Sequence, residues 1–237
     1  MQDTTCKFSI IVPALHEGPI INDLLESLAR LQGKELYEII VVDGDPKGTT
    51  IKSIHQKNIQ CFSSGPGRAR QMNAGAHLAR GEILLFLHAD THLPRNAFQQ
   101  AGLILKEDGY IGGAFDFGIK SDKVVLKLIA KVASWRSRLT RIPFGDQAIF
   151  IKKDYFLSLG GYKDIPLMED VELMQRIKKS GGKIFISSEP VFTSPRRWEK
   201  EGVIYCTLRN WFLLTLYYLG ISPTKLAKFY PPGGSSV

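Results

Sequence analysis

Two histidines and one aspartate alternate along the segment 88–92. Side chains two residues apart face the same side of an extended chain, so His88, Asp90 and His92 would offer one carboxylate and two imidazoles to a shared ligand. This donor set suits Mn²⁺ or Mg²⁺, and such a cation would neutralise a diphosphate. A second interpretation stays open, in which Asp90 forms the turn before Leu93 and both histidines are solvated.

Two further groups have the chemistry to bind phosphate and ribose. Arg68 and Arg70 follow a Gly-Pro-Gly turn, where the backbone can approach a ligand, and the planar guanidinium suits phosphate oxygens. The alternative is a basic first turn of a surface helix. Asp43 and Asp45 follow an apolar run. They would accept hydrogen bonds from a ribose or a base edge, or else form a turn with Gly44.

Glu169 and Asp170 open a helical segment whose far end carries Arg176, Lys178 and Lys179. Acids at the start of a helix and bases at its end complement the macrodipole, so helix capping alone explains the pattern. A carboxylate at this position would equally serve as a general base, with Asp170 accepting a proton from a bound substrate. The sequence leaves both interpretations open.

Two groups later in the chain would face a second ligand. Asp146 and Gln147 form a polar pair between aromatic and apolar neighbours, as expected of a loop beside a strand. Arg197 and Trp198 would clamp a phosphate and stack on a sugar ring, or else form a basic rim around one packed aromatic residue.

Short apolar runs end directly before most of these polar groups. The runs 8–12, 37–42 and 83–87 have the length and composition of buried strands, and helical periodicity over 20–31 and 69–79 separates them. Alternating strands and helices predict an α/β fold with a mostly parallel, doubly wound sheet. Ligands of such sheets bind at the carboxyl ends of the strands. The polar groups are therefore expected to meet in one cleft.

The C-terminal part of the chain carries an apolar and aromatic stripe. Residues 199–219 predict one long helix, and the stripe either packs in the core or contacts a membrane surface over 203–229. Arg209 and Asn210 interrupt the segment, which argues against a membrane-spanning helix. We expect a domain over 1–198, a helical extension over 199–230 and a disordered tail over 231–237.

The charge balance indicates a polyanionic partner. The chain has 31 basic and 23 acidic residues, a net charge of +8, which suits nucleic acid, a phosphorylated small molecule or an anionic membrane. The basic residues are spread along the chain without a recognisable nucleic-acid module, so no nucleic acid is expected. Cys6, Cys61 and Cys206 are too few and too scattered for a disulfide scaffold. With no signal-peptide pattern, we expect a cytoplasmic protein that can contact the inner membrane face peripherally.

Four segments in this order resemble the family 2 glycosyltransferases of the GT-A fold. They are the opening strand and loop over 9–17, the loop 41–44, the helix and turn over 70–83, and the acidic motif 169–173. The resemblance covers nearly the whole chain, from Phe8 to Phe229. It implies a Rossmann-like, mostly parallel sheet flanked by helices, with a C-terminal helical extension.

The resemblance also implies a role for each candidate residue. Asp170 matches the catalytic base, and Asp90 matches the second aspartate of the metal-binding Asp-x-Asp motif. The nucleotide would be bound by Pro13, Ala14, Glu17, Asp43, Arg68, Arg70, Asn73 and Asp90. The acceptor and diphosphate side would be lined by Asp146, Gln147, Glu169, Arg197 and Trp198.

The sequence departs from the family pattern at two positions. His88 stands where the first aspartate of the metal motif is expected, so His88 and His92 remain alternative ligands of Mn²⁺ or Mg²⁺ beside Asp90. Ser194 replaces the glutamine of the Gln-x-x-Arg-Trp motif of processive members. The implied reaction is the inverting, metal-dependent, non-processive transfer of one sugar from a UDP- or GDP-sugar to a hydroxyl of a small-molecule or lipid acceptor. The alternative is a catalytically impaired nucleotide-sugar binding protein of the same fold.

A narrower likeness concerns four motifs. They are Gly-Arg-Ala-Arg-Gln-Met-Asn-Ala-Gly, Leu-His-Ala-Asp-Thr, Pro-Phe-Gly-Asp-Gln and Ile-Pro-Leu-Met-Glu-Asp-Val-Glu-Leu. Together they resemble a glycosyltransferase subfamily associated with radical-SAM partners and arsenosugar biosynthesis. This likeness suggests a pathway and identifies no substrate.

Overall fold

The computed structural model describes residues 7–33 and 37–230, which build one eight-stranded sheet. Its strands are β1 (Phe8–Ala14), β2 (Tyr37–Asp43), β3 (Gln60–Ser63), β4 (Ile83–Phe86), β5 (Thr91–His92), β6 (Tyr110–Ile119), β7 (Phe150–Lys152) and β8 (Lys183–Thr193). The spatial order is β3-β2-β1-β4-β7-β6-β8-β5. Only β7 and β5 run against the direction of the others. The predicted α/β fold with a mostly parallel sheet is confirmed.

Helices cover both faces of the sheet. They are α1 (Gly18–Ala29), α2 (Thr49–Lys52), α3 (Arg68–Leu78), α4 (Ala97–Ile104), α5 (Val124–Thr140), α6 (Lys153–Ser158), α7 (Glu169–Lys179), α8 (Arg196–Glu201), α9 (Val203–Tyr218) and α10 (Pro223–Leu226). Within the described ranges, none of them combines the length and the apolar character needed to cross a bilayer.

Two expectations about local structure are wrong. The single helix predicted over 199–219 is divided into α8 and α9 by Gly202, whose φ of 88° is incompatible with a continuous helix. The predicted domain boundary after residue 198 therefore falls inside α8. The segment 88–92 is not continuously extended either, because the chain turns at residues 89–90 before β5 and the Thr91 amide donates to the His88 carbonyl at 3.1 Å. The predicted tail over 231–237 lies outside the described residues.

The core lies on both faces of the sheet, as expected where parallel strands are covered by helices. On β1, Ile10 and Val12 pack on the side of α1, whereas Ile11 packs on the side of α3 and α7. Each side chain of this size stabilises the fold by about 1.5–3 kcal/mol when fully buried. Gly75 permits the close approach of α3, since a Cβ there would lie 2.5 Å from Ile11 Cγ2.

A crevice opens at the carboxyl ends of β1 and β4. The chain proceeds from β1 outward to β2 and β3 and then returns to β4 on the other side of β1. Strands that neighbour each other but connect in opposite directions form the crevice in which doubly wound sheets bind ligands. Gln71 fastens one wall of it, since its Nε2 donates to the carbonyls of Ala14 at 2.6 Å and Val42 at 2.8 Å.

Candidate active site

A cleft of about 850 Å³ lies over this crevice, within the size range typical of small-molecule sites. Loops that follow β1, β4 and β8 form its walls, together with the loop that precedes β7 and the N-terminal ends of α3 and α7. The sequence-predicted residues on these walls are Pro13, Glu17, Arg68, His88, Asp90, Asp146, Glu169, Asp170, Arg197 and Trp198.

Asp170 is held in place by backbone amides. Its Oδ2 accepts a hydrogen bond of 2.7 Å from the Gly145 amide, and its Oδ1 accepts one of 2.7 Å from the Val171 amide. The residue lies in the first turn of α7, where the helix dipole favours a negative charge. These interactions orient a carboxylate that borders the cleft, as a general base requires.

Glu169 forms the inner side of the same helix end. It is buried, and its Oε1 accepts a hydrogen bond of 3.3 Å from Arg68 Nη1. Burial raises the pKa of Glu169, while the charge of Arg68 opposes the rise and that of Asp170 adds to it. Because the Arg68 side chain is 43% exposed and lines the cleft, it can hold Glu169 and face an anionic ligand at the same time.

Asp146 is a second carboxyl group beside Asp170. Burial raises the pKa of Asp146 to about 7, the negative charge of Asp170 adds to the rise, and Arg136 opposes it. Arg136 itself stacks on the ring of Phe144, with 3.6 Å between its Cζ and the ring centroid. The carboxyl group of Asp146 therefore exchanges its proton near neutral pH.

His88 lines the same cleft, next to Gly145. Its Nε2 is buried and has no hydrogen-bond partner within the part of the chain that the structure describes. Burial lowers the pKa of His88 well below its usual value, and the charges of Arg68 and Arg197 act in the same direction. The imidazole is therefore neutral at pH 7, and its ring nitrogen is available to a ligand atom.

Arg196 stands between two carboxylates at the opposite wall. Its Nη2 lies 3.4 Å from Asp90 Oδ2 and 3.6 Å from Glu17 Oε2. Burial raises the pKa of Glu17, Arg196 opposes this rise, and Asp90 reinforces it. The carboxylates of Glu17 and Asp90 thus create a negatively charged position, which attracts the guanidinium of Arg196.

The donor atoms fit a metal ion that is shared with a phosphate ligand. Among residues 7–33 and 37–230, no three His, Cys, Asp or Glu side chains surround a common metal position. Mg²⁺, and Mn²⁺ with the same octahedral oxygen preference, commonly use one or two carboxylates and take their remaining ligands from water and substrate phosphates. Asp90 fits this pattern, because its carboxylate lies on the cleft wall and is 30% exposed.

The wall formed by α8 and α9 is aromatic and basic. Arg197 lies 4.9 Å from the ring centroid of Tyr230, and Trp198 lies 6.2 Å from that of Phe117. The buried Nε1 of Trp198 and the buried Oδ1 of Asn210 have no hydrogen-bond partner among the described residues. Buried polar atoms are normally paired, so a polar ligand in the cleft would satisfy them.

The structure places Asp43 and Ala14 away from the cleft wall. Asp43 is fully buried, and its carboxylate accepts hydrogen bonds from the amides of Asp45, Thr50 and Ile51 at 2.9–3.2 Å. It therefore stabilises the turn after β2 and the start of α2. Ala14 is buried and contributes its carbonyl to Gln71.

Four other predicted residues also make contacts outside the cleft wall. Arg70 pairs with Asp164 on the surface at 2.7 Å. The side chain of Asn73 donates a hydrogen bond of 2.8 Å to the Tyr162 carbonyl and accepts one of 2.9 Å from the Tyr162 amide. Gln147 is buried and bonds Ser137 Oγ and the Phe115 carbonyl. His92 lies on β5, opposite Phe192 of β8.

Two residues that the sequence did not point to, Gly145 and Met168, also contribute to the cleft. Gly145 holds Asp170, and a Cβ on it would lie only 3.0 Å from His88 Nε2. Met168 precedes α7 with a φ of 65°, a conformation that bulky residues rarely adopt and that concentrates at functional sites. Gly145 directly precedes the polar pair Asp146 and Gln147, and this position was the available signal; Met168 offers none.

Comparison with known proteins identifies the family. The family model described as Glycosyl transferase family 2 matches residues 9–154. Poly(ribitol-phosphate) beta-N-acetylglucosaminyltransferase TarS of Staphylococcus aureus is 29% identical over 111 residues, which cover 43% of this chain and 19% of TarS. A PGL/p-HBAD biosynthesis glycosyltransferase of Mycobacterium tuberculosis is 30% identical over 173 residues, 65% of this chain and 62% of that protein. The matches thus span less than two thirds of these relatives.

Solved structures share the fold at low sequence identity. The mannosyltransferase PcManGT from Pyrobaculum calidifontis, in complex with GDP-Man and Mn²⁺, superposes with a TM-score of 0.63 at 18% identity and covers 78% of this chain and 56% of that chain. TarS in complex with UDP-GlcNAc superposes with a TM-score of 0.59, also at 18% identity, and covers 79% of this chain and 58% of that chain. The fold is that of the GT-A glycosyltransferases, and the chain belongs to glycosyl transferase family 2.

Proposed function

We propose that this protein transfers one sugar from a nucleotide-diphosphate sugar to an acceptor hydroxyl, with inversion at the anomeric carbon and without processive extension. The observation that carries the proposal is the position of Asp170. Its carboxylate is fixed by two amides at a helix N-terminus and borders the cleft that also contains Asp90. One carboxylate is thereby available for a proton and another for a cation.

In this reaction the acceptor oxygen attacks the anomeric carbon as the bond from that carbon to the diphosphate breaks. The proton of the acceptor hydroxyl passes to Asp170, and the electron pair of the broken bond leaves with the nucleoside diphosphate. A positioned general base contributes about a hundred- to ten-thousand-fold to the rate. A single displacement of this kind inverts the anomeric configuration.

Charge on the leaving diphosphate is met by cationic groups of the cleft. Arg68, Arg196 and Arg197 line it, and guanidinium groups bind phosphate oxygens in a planar, often bidentate geometry. Asp90 would hold Mn²⁺ or Mg²⁺, with His88 as a further candidate ligand. When bound, the metal neutralises charge that develops on the diphosphate.

The donor is proposed to be a UDP- or GDP-sugar, since solved structures of this fold contain UDP-GlcNAc or GDP-Man. The acceptor is a small molecule or a lipid, and nucleic acid is not a partner. We further infer membership of the radical-SAM-associated, arsenosugar-type subfamily from the four motifs described above. A cytoplasmic location is proposed from the cysteine pattern.

Thermal unfolding with UDP, GDP, ADP, CMP and dTDP, each with and without Mn²⁺, tests the nucleotide site. A ligand that binds only the native state raises its stability. We expect one uracil or guanine nucleotide to raise the melting temperature in the presence of Mn²⁺ and Asp90→Ala to abolish this rise. If no nucleotide shifts the transition, the proposed transferase is excluded. The alternative of a catalytically impaired nucleotide-sugar binding protein, which His88 at the metal motif favours, is then excluded as well. Binding without any release of nucleoside diphosphate would support that alternative.

A further inference from the structure

Helix α5 presents apolar side chains on two opposite faces. On one face, Leu126 and Ala130 are buried in a cluster with Phe117 and Ile119 of β6. On the other, a row of large apolar residues at intervals of three and four is exposed along the whole helix. These residues are Val124, Leu128, Val132, Trp135 and Leu139, with exposed fractions between 41% and 80%. A folded domain rarely leaves such a continuous apolar surface without a partner.

Basic residues flank the exposed row on one side. These exposed residues are Lys127, Lys131 and Arg138. Their spacing of four and seven residues places them on one face of the helix, next to one edge of the apolar row. Lys127 and Arg138 also contact Asp122 and Asp116 on neighbouring segments. Helix α5 itself contains no acidic residue. An apolar row with a basic flank is typical of helices that lie in a membrane interface.

Helix α9 also has a buried and an exposed apolar side, although its one basic residue, Arg209, is buried and pairs with Glu201. Cys206, Leu213 and Leu214 are buried on its inner side. Its outer side exposes a second row that consists of Ile204, Tyr205, Leu208, Trp211, Phe212, Tyr218 and Leu219. The sequence left core packing and membrane contact open for this segment. The structure divides the stripe into a packed inner side and an exposed outer side.

The start of α9 lies beside α5. Trp198 and Val203, at the start of the α8–α9 segment, pack in the same cluster as Ile129 and Ala133 of α5. An ion pair of 3.9 Å also joins Lys123, before α5, to Glu199 of α8. The inner side of α9 contributes Asn210 and Leu213 to the wall of the cleft.

We propose that α5 and α9 together form a docking surface for an anionic membrane. Aromatic residues with polar edges, such as Trp135, Trp211 and Tyr218, favour the headgroup level of a bilayer, and the basic flank complements anionic lipid. A second copy of the chain would fit less well, because neither helix carries an acidic residue that could pair with Lys127 or Lys131. A lipid-borne acceptor, which rests on the proposed function, would then approach the cleft along α9.

Sedimentation with vesicles tests the surface directly. We expect the protein to bind vesicles of phosphatidylcholine mixed with phosphatidylglycerol and to bind pure phosphatidylcholine much more weakly. Added salt should weaken the binding, because it screens exposed charges. Lys131→Gln should reduce the affinity about fivefold, the equivalent of about 1 kcal/mol for one basic residue near an anionic surface.

A second set of vesicle-binding experiments introduces a charge into each apolar row. Leu128→Glu and Leu208→Glu should each reduce vesicle affinity at least about tenfold, since each removes the burial of one large side chain. Leu103→Glu is the matched control, because Leu103 is a comparably exposed leucine (54%) on α4 and should leave binding unchanged. Light scattering without lipid reports the oligomeric state of each variant.

The outcomes separate the alternatives. No binding of the folded wild-type protein to anionic vesicles, or an equal loss with Leu103→Glu, would overturn the proposal. A stable dimer in solution that Leu128→Glu dissociates would assign the surface to a second copy instead. The nucleotide-dependent thermal shift is measured on the same variants. Its retention while vesicle binding is lost distinguishes failure of the docking surface from failure of the proposed enzyme.

Discussion

Replacement of Asp146 by asparagine should stabilise the protein in a pH-dependent manner. The pKa of Asp146 rises from 3.8 to about 7, first because the carboxyl group is buried and then because Asp170 is negative. In the unfolded chain the same group titrates near 3.9. Between these values the unfolded state has released the proton and the folded state still holds it, so Asp146 lowers the stability of the protein progressively as the pH rises from about 4 to about 7.

The size of the effect follows from the shift. One pKa unit corresponds to about 1.4 kcal/mol, so the full shift corresponds to about 4 kcal/mol above pH 7 and to less than half of that at pH 5. Asparagine keeps the size of the side chain and removes its ionisation. The free energy of unfolding of Asp146→Asn should therefore exceed that of the wild type by an amount that grows by about 2–3 kcal/mol between pH 5 and pH 8.

Urea denaturation of both proteins at pH 5 and pH 8 measures this difference. Asp108→Asn is the control, because Asp108 is exposed and its replacement should change stability equally little at both pH values. A difference between Asp146→Asn and the wild type that is the same at pH 5 and at pH 8 would refute the reasoning. It would show that Asp146 is ionised throughout this range.

Further substitutions test other contacts of the cleft. Asp170→Asn should retain the nucleotide-dependent thermal shift and lose a hundred- to ten-thousand-fold in turnover; turnover at the wild-type rate would exclude Asp170 as the base. Gly145→Ala should lower turnover about tenfold with unchanged nucleotide affinity, because its Cβ would press on His88 at 3.0 Å and shift the amide that holds Asp170; an unaffected rate would contradict this. Gln71→Leu should lower the free energy of unfolding by about 1–3 kcal/mol, measured by urea denaturation, since it removes the two hydrogen bonds that the Gln71 side chain donates to the ends of β1 and β2.

The local pattern of apolar residues was sufficient to predict strands β1, β2 and β4 in the first half of the chain. The apolar runs 8–12, 37–42 and 83–87 correspond to β1, β2 and β4, because a strand covered on both faces requires consecutive apolar residues whatever its neighbours are. Loops that follow such strands lie at one edge of the sheet, so Glu17 and Asp90 were expected in one cleft and line it together.

Contacts between distant residues decided what the pattern left open. His92 lies on β5 and is not among the residues that line the cleft, because Thr91 pairs with Thr193 of β8, about a hundred residues later. The sequence around Asp43 is compatible with a ligand contact or with a turn, and in the structure its carboxylate accepts hydrogen bonds from three amides at the turn into α2.

The sequence by itself therefore determined which segments form strands, which family the chain resembles and which polar groups lie at the edge of the sheet. Periodicity and motif spacing are properties of nearby residues. Only the tertiary structure decided which carboxyl groups share a buried environment, where Arg196 lies relative to Glu17 and Asp90, and which side of α5 and α9 remains exposed. Desolvation and charge–charge energies depend on what packs around a group, and these neighbours come from segments that the sequence separates by tens to more than a hundred residues.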